Sequence, residues 1–207
     1  MKVLVVGAAG KTGRAVVEQA LKAGHQVTAL VHSDNGYDVG GVAVRVGDAS
    51  DPETAAAAVT GQDAVIDTVG GKTPYKHTTL ETSVATTIVA AMRDHDVRRL
   101  VVTSSLGVGD STANTPLSTK IAVATFLRGS TPDKAGMEAA VRSSGLDWVI
   151  TRPAILTDKP ATGDVRVFSA NSRDQAHSIT RADLATFLVA QLTSDNHLQE
   201  AVTIANR

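Results

Sequence analysis

Cysteine is absent from the 207 residues, which removes disulfides, thiolate zinc sites, CxxC redox pairs and a cysteine nucleophile together. Aromatic residues are scarce at 3% while hydrophobic residues reach 43%, so Ala, Val, Leu and Ile must do the packing. Neither sign of charge prevails, since 20 Lys plus Arg against 21 Asp plus Glu leave a formal net charge of -1. Without a basic block the chain has no electrostatic footprint for nucleic acid or an anionic membrane surface. Long apolar runs are missing too. The run at residues 3–6 is too short for a signal peptide, and nothing later approaches the ~18 residues of a membrane helix. A soluble, cytoplasmic protein is expected. The six histidines show no HxxxH or HxxEH spacing, so no metal site is expected.

What is present is a chain long enough to bury roughly 70% of its unfolded surface, with β-branched runs alternating with helical stretches. Residues 3–6 form a continuous apolar run, as in a strand covered on both faces of a parallel sheet. Residues 14–23 carry Val16, Val17, Ala20 and Leu21 as a helical stripe, with Gly24 as the C-cap. Further strands are expected at 26–31, 42–46, 64–69, 100–103 and 147–151, and helices at 52–59, 78–93 and 118–142. This alternation implies a parallel sheet with right-handed crossovers and helices on both faces. Beyond residue 152 the character changes. Residues 153–162 read as a loop, 165–169 as a short strand, and Thr180 as the N-cap of a helix over 181–192 whose Asp183 suits the dipole. Residues 202–205 would finish as an edge strand. With no low-complexity linker and no internal repeat, the expectation is one α/β domain over 1–207. Its core would span 1–152 and a small C-terminal substrate-side cap 153–207.

The segment Gly7-Ala8-Ala9-Gly10-Lys11-Thr12-Gly13 lies directly between the first strand and the first helix. Glycines at such a junction serve a tight turn, close backbone approach to a pyrophosphate, and close helix-to-strand packing. The helix start adds N–H groups and a positive dipole end for the phosphates. In a chain with 17 glycines the pattern alone would be weak, but here it opens a βαβ unit. It therefore reads as a dinucleotide-binding loop, and the fold as a doubly wound, mostly parallel Rossmann sheet. An acid at the end of the second strand would select a free ribose, and a base a 2′-phosphate. The strand ends Ala29-Leu30-Val31-His32-Ser33, with no acid before Asp34. His32 and Ser33 can donate to a phosphate and Arg14 could reach the same region, which favours NADP(H) over NAD(H). The alternatives are that His32 caps the strand, that Arg14 is a solvated helix residue, and that Asp34 turns inward.

Beyond this loop, the Gly47-Asp48 pair, the strand-ending Ser104-Ser105, Ser144-Gly145-Leu146-Asp147-Trp148 and Thr151-Arg152-Pro153 resemble the atypical short-chain dehydrogenase/reductases of the NmrA-like group. Within that group the flavin reductases, also called biliverdin-IXβ reductases, are the most similar. Leu156-Thr157-Asp158-Lys159-Pro160, Thr162-Gly163 and Thr180-Arg181-Ala182-Asp183-Leu184 resemble their C-terminal part, so the likeness spans nearly the whole chain. It implies that Gly10, Lys11, Thr12 and Gly13 hold the pyrophosphate and that Asp48 and Ala49 meet the adenine. It further implies that Thr68, Val69 and Gly70 line the ribose side and that Ser105 lies beside the nicotinamide. Gly7, Ser104, Arg152 and Pro153 complete the expected cofactor-lining set. All of these lie at the carboxyl ends of strands, where open α/β sheets bind ligands. Plainer roles stand beside these: Asp48 as cap to the following turn, and Ser104 and Ser105 bonding the loop after their strand.

Typical members of the wider superfamily donate a proton from the Tyr of a Tyr-x-x-x-Lys pair. Here Ser130 stands four residues before Lys134, and neither Tyr37 nor Tyr75 precedes a Lys at that spacing. Ser105 and Lys134 remain as candidate catalytic residues. Lys134 either keeps a cofactor-ribose contact or pairs with Glu138 one turn on, an exposed interaction of roughly 0.3 kcal/mol. The substrate-pocket histidines of the flavin reductases are not reproduced, as Ala154 follows Arg152-Pro153. Three function classes follow. The leading one is an NADPH-dependent reductase handing hydride to a planar conjugated acceptor such as flavin, quinone or a linear tetrapyrrole. The others are a carbonyl-reducing or sugar-nucleotide-modifying enzyme, which the missing Tyr disfavours, and an NADP-sensing regulator with a protein partner. Residues 73–80 and 106–131 would wall the acceptor cavity.

Overall fold

A computed structural model of the chain describes residues 1–33, 36–71, 75–117, 121, 125, 129–168 and 174–207. It opens with β1 (Lys2–Val6), α1 (Lys11–Lys22), β2 (Gln26–Val31) and β3 (Val42–Val46), followed by α2 (Pro52–Val59), β4 (Ala64–Asp67), α3 (Leu80–Asp94) and β5 (Arg99–Thr103). A 3-10 turn (Gly109–Asn114), α4 (Thr131–Arg142) and β6 (Asp147–Pro153) come next. The chain ends with β7 (Ile155–Thr157), β8 (Val165–Phe168), β9 (Ser178–Thr180), α5 (Arg181–Ala190) and β10 (Glu200–Asn206).

Eight strands form one sheet in the order β3-β2-β1-β4-β5-β6-β10-β8, parallel except for β8, which runs antiparallel to β10. Val3, Leu4, Val5 and Val6 are all 0% exposed, so β1 needs cover on both faces and takes a place inside the sheet between β2 and β4. On one face α1 and α5 bring Val16, Val17, Leu184 and Leu188 against Val3, Val5 and Ile66. On the other α2, α3 and α4 bring Ala55, Ile88, Met92 and Met137 against Leu4, Val65 and Ile150. From β1 the chain winds outward to β2 and β3, and from β4 it winds the other way to β5 and β6. The crevice at this switch is the ligand position of open α/β sheets, and the loops after β1 and β4 both open onto it.

Residues 202–205 do not form an edge strand. β10 lies inside the sheet, parallel to β6 and antiparallel to β8, with Val202, Ile204 and Ala205 buried. A short apolar run does not reveal its place, because both neighbours come from distant sequence. The stretch 153–162 contains β7, which pairs with β9. Three-residue strands carry too few positions for an alternation pattern. α4 starts only at Thr131, after a turn at Gly129 and Ser130 and with Pro132 in its first turn, where proline costs no hydrogen bond. Of the expected helix 118–142, residues 118–120, 122–124 and 126–128 lie outside the described residues, as do Asp34, residues 73–74 and Ser169. No helix among the described residues is long and apolar enough to cross a membrane.

Candidate active site

β1 delivers the chain to Gly7, whose φ of +75° is a conformation glycine adopts without strain. A Cβ there would lie 3.0 Å from the Val69 amide nitrogen, and one on Gly13 would lie 2.7 Å from Ala8 Cα and closer still to the Gly7 carbonyl oxygen. The two glycines thus let the β1 loop touch the β4 loop and let α1 press onto the turn. No side chain caps the start of α1, and within the helix the first N–H that bonds back to the turn is that of Arg14, onto the Gly10 carbonyl at 2.9 Å. The amides of Lys11, Thr12 and Gly13 therefore form an anion seat at the positive end of the helix. These residues fit a dinucleotide pyrophosphate. Lys11 reaches across to Asp158 at 2.8 Å, and Arg181 holds the same carboxylate. The bond from Lys11 keeps the Asp158 carboxyl below its ordinary value.

His32 and Ser33 follow β2 and are exposed. The Arg14 guanidinium is not simply solvated: its Cζ lies 4.7 Å from the centroid of the Tyr37 ring. Tyr37 is buried, and burial raises its hydroxyl above the ordinary value against the pull of Arg14. After β3, Asp48 accepts from the Ser50 N–H at 2.9 Å and the Ser50 hydroxyl at 2.7 Å, bonds that hold its carboxyl below the ordinary value. Asp48 thus caps its turn, while Asp51 caps α2 by accepting from the Thr54 N–H at 2.8 Å. Ala49 beside them is buried.

Beyond β4, the Thr68 hydroxyl donates to the Val6 carbonyl at 2.8 Å, tying the two crevice loops together, with Val69 half-buried and Gly70 exposed. Beyond β5 the two serines part. Ser105 is half-buried at the carboxyl end of the strand next to β4. Ser104, expected to line the cofactor, is buried and donates to Glu138 Oε1 at 2.7 Å. Arg152, expected in the same set, is 2% exposed and donates to Glu138 at 2.9 and 2.6 Å and to Asp110. Both side chains serve the sheet-to-α4 interface rather than the crevice, because strand alternation turns them toward α4. Pro153, the last residue of β6, is buried beside Ile204 of β10.

Lys134 does not pair with Glu138, which Arg152 already occupies. Its ammonium meets Glu81 Oε2 at 2.7 Å, with the Glu81 side chain 2% exposed. Next to this pair a cleft of about 420 Å³ is lined by His77, Thr78, Thr79, Thr82, Pro132 and Asp133. Asp67, at the end of β4, is buried, and burial pushes its carboxyl up to about 7, opposed by the Val69 N–H, helped by the charge of Glu81 and opposed by Lys134. Sequence reasoning passed over Glu81 and Asp67. The signal for Asp67 was an acid inside an apolar strand run, whereas Glu81 looks like any acid in a helix's first turn.

The sequence profile of the NAD(P)H-binding family matches residues 7–195. The chain belongs to this family. The uncharacterized protein YwnB of Bacillus subtilis is 24% identical over 214 residues, covering 100% of this chain and 99% of YwnB. Among solved structures, ChuY from Escherichia coli O157:H7, described as an anaerobilin reductase, superposes with a TM-score of 0.83 at 26% identity, covering 100% of this chain and 97% of that one. A short-chain dehydrogenase/reductase of Veillonella parvula, solved in complex with NADP, superposes at 0.78 with 16% identity, covering 99% and 94%. The family and these folds make the protein an NAD(P)H-binding domain of the oxidoreductase type, in line with the resemblance read from its residues.

Proposed function

We propose that the protein is an NADPH-dependent reductase that hands hydride to a planar conjugated acceptor, a flavin, a quinone or a linear tetrapyrrole. The observation that carries this reading is the dinucleotide crevice without a tyrosine-lysine pair: Ser130 takes the acid's place and Lys134 is held by Glu81. Bound NADPH would supply the hydride. The amides of residues 11–13 would hold its pyrophosphate, Val69 and Gly70 would support the ribose side, and Ser105 would orient the acceptor or the nicotinamide by hydrogen bonding. Arg14, with His32 and Ser33, offers donors for a 2′-phosphate, which supports NADPH over NADH.

Reducing an isolated ketone builds charge on one oxygen, where a positioned acid contributes about 10²–10⁴-fold. A conjugated acceptor spreads the incoming charge and takes its proton from water, so it needs no strong protein acid. The likeness to ChuY supports this acceptor class. The test is NADPH oxidation against a panel of flavins, quinones, linear tetrapyrroles and aliphatic ketones. Turnover is expected with conjugated acceptors and little with ketones. Ser105→Ala is expected to lower kcat about tenfold, the scale of one hydrogen bond. Intact NADPH binding without oxidation by any conjugated acceptor would move the assignment to an NADP-sensing regulator with a protein partner.

A further inference from the structure

Two buried acids and a lysine sit under the loop that follows β4. Asp67 Oδ1 accepts from the Val69 N–H at 2.8 Å. Glu81 accepts from the Gly71 N–H with Oε1 at 3.1 Å and takes the Lys134 ammonium with Oε2 at 2.7 Å. Glu81 is not needed as a helix cap, because Asp133 on α4 already accepts from the Glu81 and Thr82 amides at 3.1 and 2.8 Å. The close crossing that permits this depends on Gly136, where a Cβ would lie 2.5 Å from Thr82 Oγ1. A carboxylate buried this deeply is costly unless both oxygens are engaged. Here one oxygen holds loop backbone and the other holds the ammonium.

We infer that Glu81 is a positioning residue of the cofactor site, holding the Lys134 ammonium and the backbone around residues 69–71 as one unit at the crevice between β1 and β4. The inference rests on the dinucleotide reading of that crevice and deepens it. It explains how Lys134 keeps a defined place without the usual tyrosine. Asp67 faces Glu81 from α3 and Lys134 from α4, so its ionisation reports on the unit. Removing the Glu81 charge takes away a repulsion and frees Lys134 to favour the Asp67 carboxylate, which moves the titration of Asp67 to lower pH.

The experiment is titration of NADPH by fluorescence, which needs no acceptor, on the wild type, Glu81→Gln, Lys134→Met and the double variant across pH 5–9. Each single variant is expected to raise Kd about tenfold, and the double variant to match either one within twofold, as for residues acting as a unit. The wild-type Kd is expected to show an inflection near pH 7 that moves down in Glu81→Gln and disappears in Asp67→Asn. Should Glu81→Gln fail to fold, the double variant, with both charges removed, is compared with Lys134→Met alone. Equal Kd values support the inference and a further loss overturns it. It is also overturned if the effects of the two single variants multiply, or if Glu81→Gln leaves both Kd and inflection in place. A wild type that binds neither NADPH nor NADH overturns the dinucleotide reading itself. A wild type that binds but reduces no acceptor leaves this cycle readable.

Discussion

Arg14 lies over the Tyr37 ring at 4.7 Å, and this contact orients the guanidinium without consuming its N–H donors. Removing the ring costs a contact of about 0.5–1 kcal/mol. Tyr37→Leu is therefore expected to reduce the preference for NADPH over NADH about threefold, and Arg14→Ala to weaken NADPH about tenfold with little change for NADH. Isothermal titration with both nucleotides checks each. Equal losses for the two nucleotides would show that Arg14 does not face the 2′ position. At this scale the glycine turn was legible, because it follows from adjacency to one strand end, whereas the contact of Arg14 with Tyr37 was not. Nor were the partners of Lys134 and Arg152. Glu81 lies 53 residues from Lys134, and no local rule selects it over Glu138, one turn away.

The first turns of two helices carry predictions of their own. Gly13→Ala sets a methyl group against Ala8 and the Gly7 carbonyl, so α1 must lift from the β1 loop. A stability loss of about 1–3 kcal/mol, measured by urea denaturation, is expected together with loss of measurable NADPH binding. At the start of α5, Asp183 is 2% exposed. Burial raises its pKa, but bonds from the Thr162 and Gly163 amides, the Thr180 hydroxyl and Asn206 outweigh that and pull it down to about 2. The folded value lies below the unfolded one near 3.9. Its stabilisation is therefore complete above about pH 4 and lost as pH falls toward 2. Asp183→Asn is expected to cost about 2–3 kcal/mol at pH 7 and little at pH 2, read from denaturant midpoints. An equal cost at both pH values would mean that packing, not charge, is at stake. Thr180 and Asp183 were readable as a helix start, but the bonds to Thr162, Gly163 and Asn206 were not, since they join three separate segments.

Across the whole molecule, β10 inserts between β6 and β8, so the C-terminal residues complete the sheet that carries the crevice. Trp148 on β6 is 4% exposed and reports on that region. Its fluorescence and the far-UV circular dichroism are expected to change together on urea unfolding, as in one cooperative unit. Removal of residues 200–207 is expected to abolish that transition; a truncated chain that keeps it would show that the rest of the sheet folds without β10. The α/β class, the mostly parallel sheet and the glycine turn between β1 and α1 were determined by the sequence itself, because buried apolar runs, helical stripes and the glycine turn are local patterns with local causes. The strand order with β10 inside the sheet, the pairing of β7 with β9, the turning of Ser104 and Arg152 toward Glu138, and the choice of Glu81 for Lys134 were decided only in the tertiary structure. Each of these depends on which distant segments the sheet and its helix crossings bring within hydrogen-bond reach, and burial then makes the pairing obligatory.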